Sequence, residues 1–297
     1  MKIGILGPAG TFSETAARLW LKEKEIGKNK AESEYEQVEI KYYETIFDVS
    51  ERLLKKEVDY GIVPIENSLE GSVGETLDVL SSENDNEGRM RIVGEILVPI
   101  KICLLQTLEK SLIKKVVSHP HALAQCKQFI REKLRGVEIK SVDSTASAAK
   151  LASQSEEIAA LASEAAAMEY GLNILEENVQ DKDSVTRFVV LSSSGVKTAP
   201  TGRDKTSVLI YLKDRPGALY DVLGEFEQRQ INLTKIESRP SKRAMGDYMF
   251  HIDCEGHMEE KEIKEALKGV EGKVAMLKIL GAYPMAKKGF LNPLLSP

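Results

Sequence analysis

The sequence predicts an α/β unit of two lobes with a ligand cleft between them, followed by a smaller α+β domain of βαββαβ order. Three observations carry this reading. Between residues 1 and 192, short apolar runs recur, most of them leading through a polar turn into a helix-patterned segment. Residues 193–203 are small, polar and rich in Ser, Gly and Thr, with Pro200, as an interdomain linker is. After them the period alternates strand, helix, strand, strand, helix, strand over residues 204–285, a ferredoxin-like pattern. At 297 residues the chain suits about two domains, at ~150 residues each.

Composition narrows the class. Hydrophobic residues make up 42% and charged residues 29%, the balance of a globular chain. A net charge of -5 and the lack of a basic stretch interleaved with aromatics argue against a nucleic-acid partner. Cys103, Cys126 and Cys254 are far apart and in no metal-ligand spacing, so they predict reduced core thiols and no metal site. The opening run Met1 to Leu6 is too short for a signal peptide or a membrane span. A cytoplasmic location without a membrane partner is the expectation.

Taken in order, Ile3 to Leu6 is a strand, and Gly7-Pro-Ala-Gly-Thr-Phe-Ser-Glu14 a turn into a helix over 15–22. Such a turn aims backbone N–H groups at an anion, with Thr11 and Ser13 adding hydroxyls. Neither GxGxxG nor the GxxxxGK[ST] lysine is present, which excludes dinucleotide and P-loop readings. Residues 23–39 are dense in Lys and Glu and read as a solvated helix end and loop. A helix is expected over 49–56, then a strand over 59–65 ending in the polar cluster Glu66-Asn67-Ser68. Residues 75–80 restart helix, and 81–89 form a charged loop.

Ile92 to Leu105 is strand-like and long enough to cross from one lobe to the other. Val116-Val117 is a strand end running into the helix of Ser118-His-Pro-His-Ala-Leu-Ala-Gln-Cys126, which offers Ser118, His119 and Gln125 to the cleft. After a strand over 137–142, Ser144 and Thr145 suit a helix N-cap with exposed N–H groups. Ile158 to Ala162 is a strand, Glu164 to Tyr170 a helix closed by Gly171, and Leu172 to Leu175 a strand.

The stretch Asp181-Lys-Asp-Ser-Val-Thr-Arg-Phe-Val-Val-Leu191 organises the rest. Its polar start reads as loop and Phe188 to Leu191 as a buried strand, which places Thr186 and Arg187 at the junction. There Arg187 would clamp a carboxylate and Thr186 donate a hydroxyl proton beside it. Taken alone, the tripeptide reads more readily as a surface Arg beside a capping Thr. In the second domain the strands are expected over 206–212, 232–237, 246–254 and 274–280. Helices run from 219 to about 229 and over 259–268, a hairpin spans 238–245, and residues 286–297 form a disordered tail.

These motifs together resemble the prephenate dehydratase family followed by an ACT domain of the phenylalanine-binding kind. The resemblance rests on GPAGTFSE from Gly7, VPIENSLEGSV from Val63, SHPHALAQC from Ser118, DSTASAA from Asp143 and TRF from Thr186. RPGAL from Arg215 and IESRP from Ile236 extend it. The family commonly has Gln where His121 stands and Asn where Ser184 stands. The resemblance implies a type II periplasmic-binding-protein-like catalytic domain over 1–192 and an ACT domain over 204–285.

It implies conversion of prephenate to phenylpyruvate, carbon dioxide and water, without a cofactor, under feedback by L-phenylalanine. Beginning the dehydratase at residue 1, the chain is expected to lack the chorismate mutase domain and activity of some relatives. Thr186, Arg187 and Glu66 are the implied catalytic residues. Substrate contacts are expected from Thr11, Phe12, Ser13, Asn67, Ser68, Ser118, His119, Gln125, Ser144, Thr145 and Phe188. Glu66 and His119 are the two candidate proton sources, with a turn cap and a satisfied core residue as their structural alternatives. The effector is expected near Gly217, Ala218, Leu219, Asn232, Leu233 and Glu237, Ser238, Arg239 and Pro240, between subunits of a homodimer or homotetramer joined through ACT domains. Arogenate dehydration and a non-catalytic two-lobed sensor are the competing readings.

Overall fold

The computed structural model describes residues 1–26, 38–82, 90–108, 112–193, 196, 198–212, 215–240 and 248–287. The loop readings within 27–37 and 83–89, the hairpin tip at 241–247 and the tail from 288 lie outside the described residues.

The first lobe starts with β1 (Lys2–Leu6), α1 (Phe12–Ile26), β2 (Glu39–Tyr43), α2 (Ile46–Leu54), β3 (Tyr60–Asn67), β4 (Gly71–Ser72), α3 (Gly74–Ser81) and β5 (Met90–Ile100). The second lobe holds β6 (Cys103–Gln106), β7 (Lys115–Ser118), α4 (Pro120–Gln125), α5 (Lys127–Lys133), β8 (Glu138–Ser141), α6 (Thr145–Ala152), β9 (Ile158–Ala162), α7 (Glu164–Tyr170) and β10 (Asn173–Glu176). The chain then returns to the first lobe as β11 (Ser184–Ser193). The last domain contains β12 (Asp204–Leu212), α8 (Ala218–Glu227), β13 (Leu233–Pro240), β14 (Tyr248–Glu255), α9 (Lys261–Glu271) and β15 (Met276–Pro284), in the expected βαββαβ order.

Strand order is β2-β1-β3-β11-β5 in the first lobe, with β4 hairpinned onto β3, and β10-β6-β9-β7-β8 in the second. Two differences from the sequence reading have physical causes. β2 falls in a stretch dominated by charge, and its burial is slight, so its hydrophobic signal is weak. The long run over 92–105 is two strands, because the backbone leaves the first sheet at Lys101 and Ile102 and joins the second. The return crossing bonds to this one: the Ile102 N–H donates to Gln180 Oε1 at 2.9 Å, and the Val179 N–H donates to the Ile102 carbonyl at 2.9 Å.

The lobes also touch beside this hinge. Ser163 Oγ donates to the Gly10 carbonyl at 2.9 Å and Tyr170 Oη to that of Ala9 at 3.1 Å. Gly10 has φ +81°, and a Cβ there would lie 2.9 Å from the Ala166 Cα, so both dihedral and close approach require glycine. One apolar cluster runs from Ile3 and Ile62 in the first lobe to Val116 and Leu161 in the second.

The ACT-type sheet, order β13-β14-β12-β15, uses both faces. Val208, Ile210 and Ile252 pack on α8 and α9, with Val222, Phe226, Ile263 and Val270. Leu209, Leu280 and Tyr283 on the other face join Val63, Ile65, Val189 and Leu191 of the first lobe in a single cluster. This alternation is the two-residue period of a strand buried on both sides. Strand β15 lies so close to β5 that a Cβ on Gly281 would meet the Ile92 carbonyl oxygen. The C-terminal domain is thus docked on the back of the sheet whose front faces the cleft.

Candidate active site

Between the lobes lies a cleft of about 340 Å³, lined by the β1–α1 turn, the end of β3, the N-termini of α4 and α6, and β11. Thr186 and Phe188 reach it from β11, and Thr11, Phe12 and Ser13 from the turn. Asn67, His119, Gln125, Ser144 and Thr145 complete the residues that the sequence reading assigned and the structure brings together.

The Thr186 hydroxyl is aimed. Asn67 Nδ2 donates to Thr186 Oγ1 at 2.9 Å. The amide cannot serve the other way round, because Asn67 Oδ1 already accepts the N–H groups of Leu69 at 2.9 Å and Glu70 at 3.0 Å. Thr186 therefore keeps its own proton for another acceptor. Ser184, which stands where the family commonly has Asn, is buried with Oγ unpartnered among the described residues, so it is Asn67 that orients the threonine.

The anion-binding features are helix starts. Ser144 caps α6 by accepting the Ser147 N–H at 2.9 Å, which leaves the N–H groups of Thr145 and Ala146 at the helix start, and Ser144 and Thr145 both line the cleft. Glu14 holds the other turn: its carboxylate accepts the Gly10 N–H at 2.8 Å and pairs with Arg18 at 2.5 Å. Burial would raise the Glu14 carboxyl, but the Gly10 N–H and Arg18 hold it below the usual range. No lysine or arginine is among the described lining residues.

His119 sits at the N-cap of α4, its Nδ1 accepting the His121 N–H at 3.3 Å, which leaves the ring proton of the neutral form on Nε2. Burial, and then the neighbouring His121, pull its pKa below the ordinary value against the opposing charge of Asp143. The imidazole is neutral at pH 7.

Four expected residues are elsewhere. Arg187 and Glu66 face away from the cleft, Ser68 Oγ accepts the Val185 N–H at 3.0 Å in the hairpin, and Ser118 Oγ is buried, donating to the Leu161 carbonyl at 2.5 Å. The reading of Thr186 and Arg187 as a loop-to-strand junction is corrected with them: both lie inside β11, so their side chains point to opposite faces. For Glu66 the cause is a bulge. Arg187 pairs with Glu66 but Phe188 with Pro64, so Ile65 is an extra residue that reverses the alternation of β3. Pro64 and Asn67 then share the cleft face, and Glu66 turns to the back.

On that back face Arg187 is enclosed. Its Nη2 lies 2.7 Å from Asp253 Oδ2 of β14 and 3.3 Å from Glu66 Oε2, and Nη1 is 3.2 Å from Glu95 Oε2. Lys205 Nζ reaches the same Glu95 oxygen at 2.8 Å, and Lys235 Nζ lies 3.7 Å from Glu66. Burial alone would lower the guanidinium pKa, but Asp253, with Tyr283 and Glu95, raises it above its ordinary value. Asp253 is ionised: burial opposes this, and Arg187, the Ser207 hydroxyl and Lys205 hold its carboxyl down.

A family model of prephenate dehydratase matches residues 3–195, about two thirds of the chain, over the two lobes and cleft just described. The chain belongs to the prephenate dehydratase family. An ACT domain model matches residues 206–272. A prephenate dehydratase from Methanocaldococcus jannaschii is 40% identical over 282 residues, covering 94% of this chain and 96% of that protein. A prephenate dehydratase from Arthrobacter aurescens, solved in complex with L-Phe, is 34% identical with TM-score 0.81, over 96% of this chain and 90% of that one.

A structure described as GqqA, a novel type of quorum quenching acylase, matches with TM-score 0.81 and 26% identity over the whole of both chains. The fold therefore hosts more than one chemistry, and the cleft residues have to carry the functional reading. The family, the fold class and a decarboxylating dehydratase function are those expected from the sequence motifs.

Three titratable lining residues were not assigned from the sequence. Asp143 precedes the α6 cap, while Glu70 and His121 join the lobes: Glu70 Oε2 lies 3.0 Å from His121 Nδ1, and Glu70 Oε1 accepts from Gln125 Nε2 at 3.3 Å. The departure of His121 from the family's usual Gln was the available signal.

Among the effector residues, Glu237 and Arg239 also turn to the back of the first lobe. Glu237 accepts from Ser72 Oγ at 3.1 Å, and Arg239 pairs with Asp78 at 2.9 Å. Ser238 and Pro240 are exposed on the opposite side of β13. Gly217, with φ +81°, caps α8 ahead of Ala218 and Leu219.

Proposed function

We propose that the cleft converts prephenate to phenylpyruvate, carbon dioxide and water. What supports this above all is the Thr186 hydroxyl, held by Asn67 so that its proton is free, in a cleft rimmed by helix N-termini. In the reaction the bond from the ring to its carboxylate breaks and the electron pair enters the ring. The ring C–O bond breaks with its pair, and the departing oxygen gains one proton to become water. Aromatisation supplies the driving force, so the residues must position two carboxylates and stabilise a leaving oxygen.

Thr186 donates to that oxygen. A hydroxyl ionises near the ~15.7 of water, so it stabilises by hydrogen bonding or relays a proton rather than acting as a free acid. Of the two proton sources considered, Glu66 faces the back and His119 is neutral, so its Nε2–H serves as a hydrogen-bond donor to the leaving oxygen and the proton that completes water comes from solvent. The carboxylates are held by N–H groups at the starts of α1 and α6 and by the hydroxyls of Ser13 and Thr145, since the Thr11 hydroxyl donates to the Leu6 carbonyl at 3.2 Å and that of Ser144 to Ser147 Oγ at 2.8 Å, and Phe12 and Phe188 pack on the ring. Charge-assisted hydrogen bonds of about 1.5–3 kcal/mol each suffice for millimolar to micromolar binding by a few such donors.

L-Phe is the effector of the ACT domain in this reading, near Gly217 to Leu219, Asn232, Leu233 and Ser238. The protein assembles as a homodimer or homotetramer through that domain. Strand β13 supports the assembly, since it is a sheet edge whose described partner is β14 alone and which exposes Ile236. The buried free thiols of Cys103, Cys126 and Cys254 fit the reducing cytoplasm. No described helix is long and apolar enough to cross a membrane.

Incubation of the purified protein with prephenate and, separately, with arogenate, followed by product identification, tests the reading. Phenylpyruvate from prephenate is expected. Turnover of arogenate alone transfers the same chemistry to the amino substrate, and turnover of neither overturns it.

A further inference from the structure

We infer that Asp253, in the ACT domain, is a positioning residue for Thr186 and acts through Arg187. Thr186 and Asn67 are paired across β11 and β3, and each has a charged neighbour on the back face, Arg187 beside Thr186 and Glu66 beside Asn67. These neighbours are ion-paired to each other, and Asp253 holds the Arg187 guanidinium at its shortest contact, 2.7 Å. The local frame of the catalytic hydroxyl is therefore gripped from behind by the other domain. The grip falls at the Ile65 bulge, where ladder register is least constrained and a pull on Arg187 is least resisted.

Asp253 is itself fixed. Ser207 Oγ donates to its Oδ1 at 2.6 Å and lies 2.7 Å from the Tyr283 hydroxyl, and all three residues are buried. The cluster balances: Arg187, Lys205 and Lys235 face Glu66, Glu95 and Asp253. Removing Arg187 and Asp253 together leaves Lys205 on Glu95 and Lys235 on Glu66, with no unpaired charge. This separates position from stability, because replacing a buried ion pair by apolar residues of similar volume is commonly neutral or stabilising, whereas removing one partner is not.

The test compares the full-length wild type with Asp253→Asn, Arg187→Met, the double variant Arg187→Met/Asp253→Leu, and the milder Ser207→Ala, which keeps both charges but removes the hydroxyl orienting Asp253. Thermal midpoint, kcat and KM for prephenate are measured for each. Both single charge variants should lose midpoint and kcat together. In the double variant the midpoint should return towards wild type while kcat stays about tenfold or more below it and KM stays within about threefold, since displacement of a reacting group by ~1 Å can cost ~100-fold. Ser207→Ala, which folds with its charges intact, should lower kcat about threefold without moving KM. Recovery of kcat with the midpoint in the double variant, or wild-type kcat in Ser207→Ala, overturns the inference.

The inference rests on the catalytic reading of Thr186. Wild-type turnover by Thr186→Ala would remove that reading, whereas a Thr186→Ala loss with an undiminished Ser207→Ala would remove only the role of Asp253.

Discussion

Thr186 and Arg187 are neighbours on one strand, yet they belong to different regions of the molecule. The cleft on the Thr186 side sets a few hydroxyl, amide and imidazole groups in a largely apolar lining, is open to a ligand and has no lysine or arginine among its described lining residues. The seam on the Arg187 side is closed, rich in charge and neutral only because cations and anions meet in register across two domains. A buried arginine beside a proposed catalytic residue is not thereby a substrate clamp. Strand alternation sends it to the opposite face, and its charge is then used to join domains.

The largest effect that would sharpen this contrast is on the cleft side. Thr186→Ala should lower kcat by roughly 10²–10³, the range for losing one preorganised donor, with KM and thermal midpoint nearly unchanged in steady-state and melting assays. Arg187→Ala should lower stability as well as kcat. Leaving Asp253 buried and unpaired costs about 3–5 kcal/mol of stability, readable by denaturant titration, while KM for prephenate changes little. A large rise in KM with intact stability would restore the clamp and break the comparison.

A pH effect belongs to the seam. His251 is buried there, and burial, with opposing help from Asp253 and further lowering by Lys235 and Arg239, pushes its pKa down from 6.5 to about 4. Because the folded value is depressed, the contribution is fully present above pH 6.5 and is lost as pH falls towards about 4, as the unfolded chain binds the proton first. This is worth on the order of 3 kcal/mol, so His251→Gln should flatten the acid limb of a stability-against-pH curve.

The smallest effect is expected across the mouth of the cleft. Glu70, shared by Gln125 and His121, is held below the usual carboxylate range by the Gln125 hydrogen bond and then by His121, and the pair is exposed. Its lobe-closing contact is present above that range and lost as pH falls through it. Glu70→Gln should therefore raise KM by no more than about fivefold, as an exposed pair is worth ~0–1 kcal/mol, and added salt should shrink the difference in KM between variant and wild type.

Much of this was legible in the chain. Strand ends followed by hydroxyl-bearing turns marked Thr11, Ser13, Ser144 and Thr145, and the cap at Ser144 is where the residue types placed it. Gly171 closed α7 as expected, with φ +64°. Glu66 was not legible, because the Ile65 bulge shifts alternation by one residue and leaves no signature in the sequence. Nor was the turning of Glu237 and Arg239 towards Ser72 and Asp78, which depends on which face of β13 another domain covers.

Local rules thus determined from the sequence alone most of the elements, their order and many of the hydroxyl and amide groups near a ligand, because propensity, capping and period act over a few neighbouring residues. Only the tertiary structure decided which side of each strand meets the cleft and which the ACT-type sheet. That choice depends on a bulge, a domain docking and pairings between Arg187, Glu95 and Asp253, residues far apart in the chain, whose charges stay buried only when all are brought together.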